Sequence, residues 1–103
     1  GRYLQNIVKD KIIELYPVLT KKDIRTSMVG ENNADIKLLS HTAKKLFPYS
    51  VECKNRNEFK GVYNGIRQAI KHSPREPVLV IKMNREKPLA IIDLDHFFKL
   101  LSD

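Results

Sequence analysis

Apolar residues recur at helical spacing from Tyr3 to Leu15, where Leu4, Ile7, Val8, Ile12 and Leu15 share a side and Pro17 ends the pattern. This predicts a first helix. Ile24 to Met28 reads as a short strand, Val29-Gly30-Glu31-Asn32-Asn33 as a turn, and Ala34 to Leu39 as a second strand. Ser40 can cap a brief helical turn through Thr42, Ala43, Lys44 and Lys45 that stops before Pro48, and Tyr49 to Lys54 is the third strand. Asn57 opens a long helix to about His72, with Phe59, Val62, Tyr63, Ile66 and Ile70 on one face. Beside that face Gly61, Gly65 and Ala69 make a small-residue stripe that lets the helix backbone sit close to its neighbour. Val78 to Met83 and Leu89 to Leu94 are continuous apolar runs joined by a polar Asn84-Arg85-Glu86-Lys87-Pro88, and read as buried strands of a hairpin. An amphipathic helix, His96 to Leu101, follows. Helix, three strands, helix, two strands and helix make an α/β sheet domain.

At 103 residues the chain can bury one core, so residues 1–103 are read as a single domain. A hydrophobic content of 42% with only 4 Gly and 5 Pro excludes a disordered tail. Nineteen Lys plus Arg against twelve Asp plus Glu leave a formal charge of +7, which favours a polyanionic partner such as nucleic acid. The single cysteine, Cys53, cannot form an internal disulfide, in keeping with a reducing, cytoplasmic setting. No apolar run approaches the roughly 20 residues that a bilayer requires, so no membrane partner is expected. No Gly-rich phosphate loop appears, so no nucleotide cofactor is expected either. The first residue, Gly1, in place of a methionine points to a trimmed tag or an excised fragment.

Charge alone names no activity; the arrangement of acids does more. In a strand, residues two apart share a face, roughly 6.6 to 7 Å apart, so Glu52 and Lys54 project together while Val51 and Cys53 point inward. In the preceding strand Asp35 and Lys37 share a face. If the two strands are neighbours, two carboxylates and an ammonium converge on one edge of the sheet. Carboxylate oxygens are hard ligands of the kind Mg²⁺ prefers, with Mn²⁺ a substitute, and a lysine beside the ion can hold or deprotonate a water and offset charge on phosphorus. That is the chemistry of phosphodiester hydrolysis. For an arbitrary acid-x-lysine in a strand, the commoner reading is a salt bridge on a solvated face.

The central segment tips that balance. Ala34-Asp35-Ile36, followed by Lys44-Lys45-Leu46-Phe47-Pro48-Tyr49-Ser50-Val51-Glu52-Cys53-Lys54-Asn55, resembles the core of PD-(D/E)XK nucleases, in particular small phage-type enzymes and archaeal Holliday-junction resolvases. The likeness spans residues 5 to 100 in element order and residues 34 to 68 in detail. Ala34 stands where the family name has proline. The resemblance implies a restriction-endonuclease-like αβββαβ core with a mixed central sheet flanked by helices, here with an extra strand and a C-terminal helix. It implies metal ligation by Asp35, Glu52 and the backbone carbonyl of Cys53, with Lys54 completing the catalytic centre. It adds a glutamate from the first helix, which points to Glu14, about 20° from Ile7 and Tyr3 on a helical wheel. It also adds a glutamine from the helix after the acid-x-lysine strand, matched by Gln68. The expected activity is Mg²⁺-dependent cleavage of DNA to 5′-phosphate and 3′-hydroxyl ends, on branched or recombination DNA in a phage or its bacterial host, by a homodimer.

Lys37 and Arg56 flank the acids and are the expected phosphate contacts. Asp93-Leu94-Asp95-His96 looks like a second metal site but reads better as a cap of the terminal helix. His41, His72 and His96 show no ligand spacing, which argues against zinc. The alternative from another class is a non-catalytic DNA-binding or assembly module that keeps the nuclease fold. Intact Asp35, Glu52 and Lys54 argue against it.

Overall fold

A computed structural model describes residues 2–32 and 34–103. The chain is a mixed α/β protein with four α-helices and two small antiparallel sheets among the described residues. It divides into two compact units, Gly1–Asn55 and Arg56–Asp103.

In the first unit, α1 (Tyr3–Leu15) buries Val8 and Ile12, four residues apart and therefore on one face. Tyr3, expected near the covered side, is exposed. The helix ends at Tyr16, because the residue before Pro17 is pushed out of helical geometry. The chain turns at Thr20, whose N–H donates to Asp23 Oδ2 at 2.8 Å. The Ser40 hydroxyl, followed by that Thr20 N–H, holds the Asp23 carboxyl below its usual range. Strands β1 (Ile24–Thr26) and β2 (Ile36–Leu38) then pair antiparallel, with Ile24 opposite Leu38, Arg25 opposite Lys37 and Thr26 opposite Ile36. Alternation buries Ile24 and Ile36 and leaves Arg25 and Lys37 on the other face. Ser40 caps α2 (His41–Leu46) by accepting the Ala43 N–H at 3.0 Å, as the sequence predicts. Behind it Phe47 is almost fully buried and meets Tyr49 edge-on at 5.1 Å.

The second unit begins with a 3₁₀ turn, Asn57–Phe59, that leads into α3 (Lys60–His72). Asn57 makes no side-chain cap, so the long helix starts later than expected. Strands β3 (Leu79–Ile81) and β4 (Leu89–Ile91) form a second antiparallel pair. The small-residue stripe is used at Gly65, where a Cβ would lie 2.8 Å from Leu79 Cδ1, but Gly61 faces open space. Helix α4 (Leu94–Ser102) is capped by Asp93, whose Oδ2 accepts the His96 N–H at 3.0 Å. The acid therefore serves the helix terminus, as the capping reading requires.

Three expectations change. The sheets are two antiparallel pairs, not one mixed central sheet. The second hairpin is largely exposed, with Val80 at 65% and Leu89 at 55%, because a two-stranded ribbon covered on one side leaves the other open to water. Tyr49–Lys54 forms no ladder strand. Pro48 has no N–H, the Tyr49 N–H goes to Phe47 O, and the Cys53 N–H goes to a side chain, so the donors a ladder needs are missing or spent.

Candidate active site

Asp35 is the fixed point of the site. Its carbonyl accepts the Ser27 N–H at 2.9 Å, which extends the β1–β2 pairing by one step. Its own N–H donates to Val51 O at 2.9 Å, and its Oδ2 accepts the Cys53 N–H at 2.7 Å. The carboxylate thus holds the middle residue of Glu52-Cys53-Lys54, eighteen positions along the chain. A charge-assisted bond of this kind is shorter and stronger than a neutral one. The alternation expected of a strand persists without the ladder, since Val51 and Cys53 are half-buried while Glu52 and Lys54 are exposed.

Glu52 Oε2 and Lys54 Nζ lie 4.0 Å apart, side by side on the exposed face. Such a pair contributes only about 0 to 1 kcal/mol, so stability gives little reason for it. Burial pushes the Cys53 thiol up, and the charges of Asp35 and Glu52 add to the shift. Asp35 Oδ1 accepts no hydrogen bond among the described residues. Among those residues no group of three or more His, Cys, Asp or Glu side chains is arranged to hold a metal ion. The donors on hand are two carboxylates and main-chain carbonyls, all hard oxygens, and these fit Mg²⁺ or Mn²⁺, which keeps several waters of its own.

The remaining candidates are carried by other parts of the chain. Glu14 is exposed on α1, two positions and hence about 200° from buried Ile12, and its side chain makes no hydrogen bond or ion pair among the described residues. Gln68 is exposed on α3 of the second unit. Arg56 opens that unit and pairs with Glu58 at 3.6 Å. Lys37 lies on β2, and its ammonium donates to Asn32 O.

Sequence reading passed over Arg25 and Glu31. Arg25 forks onto Glu31 through Nη1–Oε1 at 2.8 Å and Nη2–Oε2 at 2.9 Å, and Glu31 Oε1 also accepts the Met28 N–H. These bonds, Arg25 first, bring the Glu31 carboxyl down to about 2. The signal was present: the outward position of β1 faces that of β2 with two like charges, and Gly30, at φ 82°, turns an acid back toward them.

No helix among the described residues is long and apolar enough to cross a membrane. No protein-family model matches the chain, and no curated protein or solved structure matches it.

Proposed function

We propose that this chain is a Mg²⁺-dependent DNA endonuclease of the PD-(D/E)XK type, cutting phosphodiesters to 5′-phosphate and 3′-hydroxyl ends. The observation that carries the reading is the 2.7 Å bond from the Cys53 N–H to Asp35, which ties the lone acid to the acid-x-lysine segment. The order of α1, β1, β2, a 51–54 segment of alternating exposure, α3 and β3 suits the restriction-endonuclease-like core that this reading carries with it.

Asp35 and Glu52, with the Cys53 carbonyl, would hold Mg²⁺, or Mn²⁺ in its place. Bound there, the cation supplies Lewis-acid activation of water and charge neutralisation at the phosphate. Lys54 orients the attacking water and offsets charge as it develops on the phosphorane oxygens. Lys37 and Arg56 contact DNA phosphates, and Glu14 and Gln68 are assigned supporting roles at the site. A homodimer acting on branched DNA of a phage or its host follows by likeness to resolvases, since two cuts call for two copies of one site.

The test is cleavage of supercoiled, linear, single-stranded and four-way-junction DNA with Mg²⁺, Mn²⁺ or chelator. Cutting should need the metal. Asp35→Asn and Glu52→Gln should each abolish it while DNA binding survives or tightens, because an acid that repels phosphate is gone. Lys54→Ala should slow single-turnover cleavage by roughly two to four orders of magnitude with melting and Mn²⁺ binding unchanged. Undiminished turnover in a folded Asp35→Asn or Glu52→Gln protein, or no cutting of any of the four substrates, sinks the assignment.

A further inference from the structure

Arg25 and Lys37 sit directly opposite one another on the outward face of the β1–β2 pair. Like charges in that position are destabilising. Asp35, two residues before Lys37 and continuing the same pairing through Ser27, falls on that face as well. Two cations beside the proposed catalytic acid therefore need a reason and a counter-ion.

The counter-ion comes from the connecting loop. Glu31 presents both carboxylate oxygens to the two outer nitrogens of Arg25, at 2.8 and 2.9 Å, and Asn32 presents its carbonyl to Lys37 Nζ. Planar, two-pronged recognition of two oxygens on one atom is how a guanidinium also holds a phosphate. Glu31 thus occupies the Arg25 fork in the manner of a phosphate, and the loop supplies oxygens to both cations at once. About a third of each of the paired side chains stays open to water, so an incoming anion can reach them.

We infer that Arg25 and Lys37 form a phosphate subsite for the DNA strand beside Asp35, and that Glu31 closes this subsite in the free protein as a built-in competitor. The inference rests on the endonuclease reading and adds to it a pair of residues and a loop that must yield. When DNA binds, a backbone phosphate replaces Glu31 on Arg25 and the Asn32 carbonyl on Lys37. No covalent change is involved. A simple loop staple would behave differently: breaking it would loosen the hairpin and weaken binding.

The test is a double-mutant cycle on the full chain, using a short fluorescein-labelled duplex DNA in chelator so that nothing is cut. Glu31→Gln keeps an oxygen for the Met28 N–H while removing the charge from the fork. It should tighten binding severalfold and make the dependence of log affinity on log salt steeper by about one ion. Asp10→Asn, the same charge change on the exposed side chain of α1, should give a smaller gain. Arg25→Ala should weaken binding by about tenfold, the loss expected for a charged hydrogen-bonding group. In the Arg25→Ala background the gain from Glu31→Gln should vanish. Thermal melting checks each protein, and Arg25→Lys, which keeps the charge without the fork, replaces Arg25→Ala if that variant fails to fold; the gain should then shrink.

A gain from Glu31→Gln that persists without Arg25, that is matched by Asp10→Asn, or that is absent overturns the inference. If the wild type cuts DNA in an Asp35-dependent way while the cycle shows no coupling, the inference alone falls. If the wild type neither binds nor cuts any DNA, the endonuclease reading falls and takes the subsite with it.

Discussion

In residues 2–55 the side chains of Val8, Ile12, Leu19, Ile24, Ile36, Ala43 and Phe47 are buried together with Ser27, whereas in residues 56–103 Phe98 alone reaches that level among the described residues. The second unit is not short of apolar residues. Its helices α3 and α4 are strongly amphipathic, yet Phe59, Val62, Ile66, Ile91 and Ile92 line an open groove of about 580 Å³. The difference is one of closure. In the first unit a helix, a strand pair and a short capped helix put their apolar sides together, while in the second a two-stranded ribbon offers too little area to cover the helices beside it. The proposed acids hang on the closed unit: Asp35 is held by Ser27, Val51 and Cys53. A site that must hold its geometry gains from elements locked by packing.

The comparison breaks or holds on two truncations. Phe47, at 1% exposure, should cost about 3 to 5 kcal/mol when changed to alanine, the range for deleting a buried aromatic ring. Val80→Ala, on the open face of β3, should stay within about 0.5 kcal/mol. Urea melting of both full-length variants measures the contrast. A Val80→Ala loss comparable with that of Phe47→Ala would mean that the second unit's ribbon is covered in solution.

The same contrast explains what could be read in advance. The first helix, both hairpins, the Ser40 cap and a cap of the last helix from Asp93 or Asp95 were legible because each depends on neighbours in sequence: a period, a turn, or a hydroxyl or carboxylate three residues before an N–H. The ends of the strands were not. Each was expected over five or six residues, and each is a three-residue ladder, because pairing depends on what lies alongside rather than on β-branched composition. The exposure of the second hairpin was illegible for a related reason, since a continuous apolar run states a need for cover without saying whether cover arrives. At the candidate site, the shared face of Glu52 and Lys54 was readable from alternation. The bond by which Asp35 reaches Cys53 was not, because a side chain there takes the place of a ladder partner.

A smaller effect tests the second unit from inside. Asp93→Ala removes the carboxylate that accepts the His96 N–H and should cost about 0.5 to 2 kcal/mol, as the loss of an N-cap does. The cost should be the same with Mg²⁺ or with chelator. A melting temperature of the wild type that rises with Mg²⁺ and loses that rise in Asp93→Ala would instead make Asp93 a metal ligand.

The smallest effect belongs to the first unit and appears only on acidification. Glu31 takes the fork of Arg25 from β1, accepts the Met28 N–H, and lies in the field of Lys37 from β2, and together these bring its carboxyl down to about 2. Its folded value is below its unfolded one, so the contribution is fully present above the ordinary glutamate range and is lost as pH falls toward about 2. At neutral pH, Glu31→Gln should melt below the wild type, because Arg25 and Lys37 then face each other with no carboxylate between them. As the pH drops below about 4.5 the two proteins should converge, since protonation turns Glu31 into a neutral group much like the glutamine. Melting curves of the pair from neutral pH down to the acid limit of folding measure the gap. A gap that stays constant over that range would show that Glu31 stabilises the loop by its shape and not by its charge, and would remove the electrostatic reason for pairing it with Arg25.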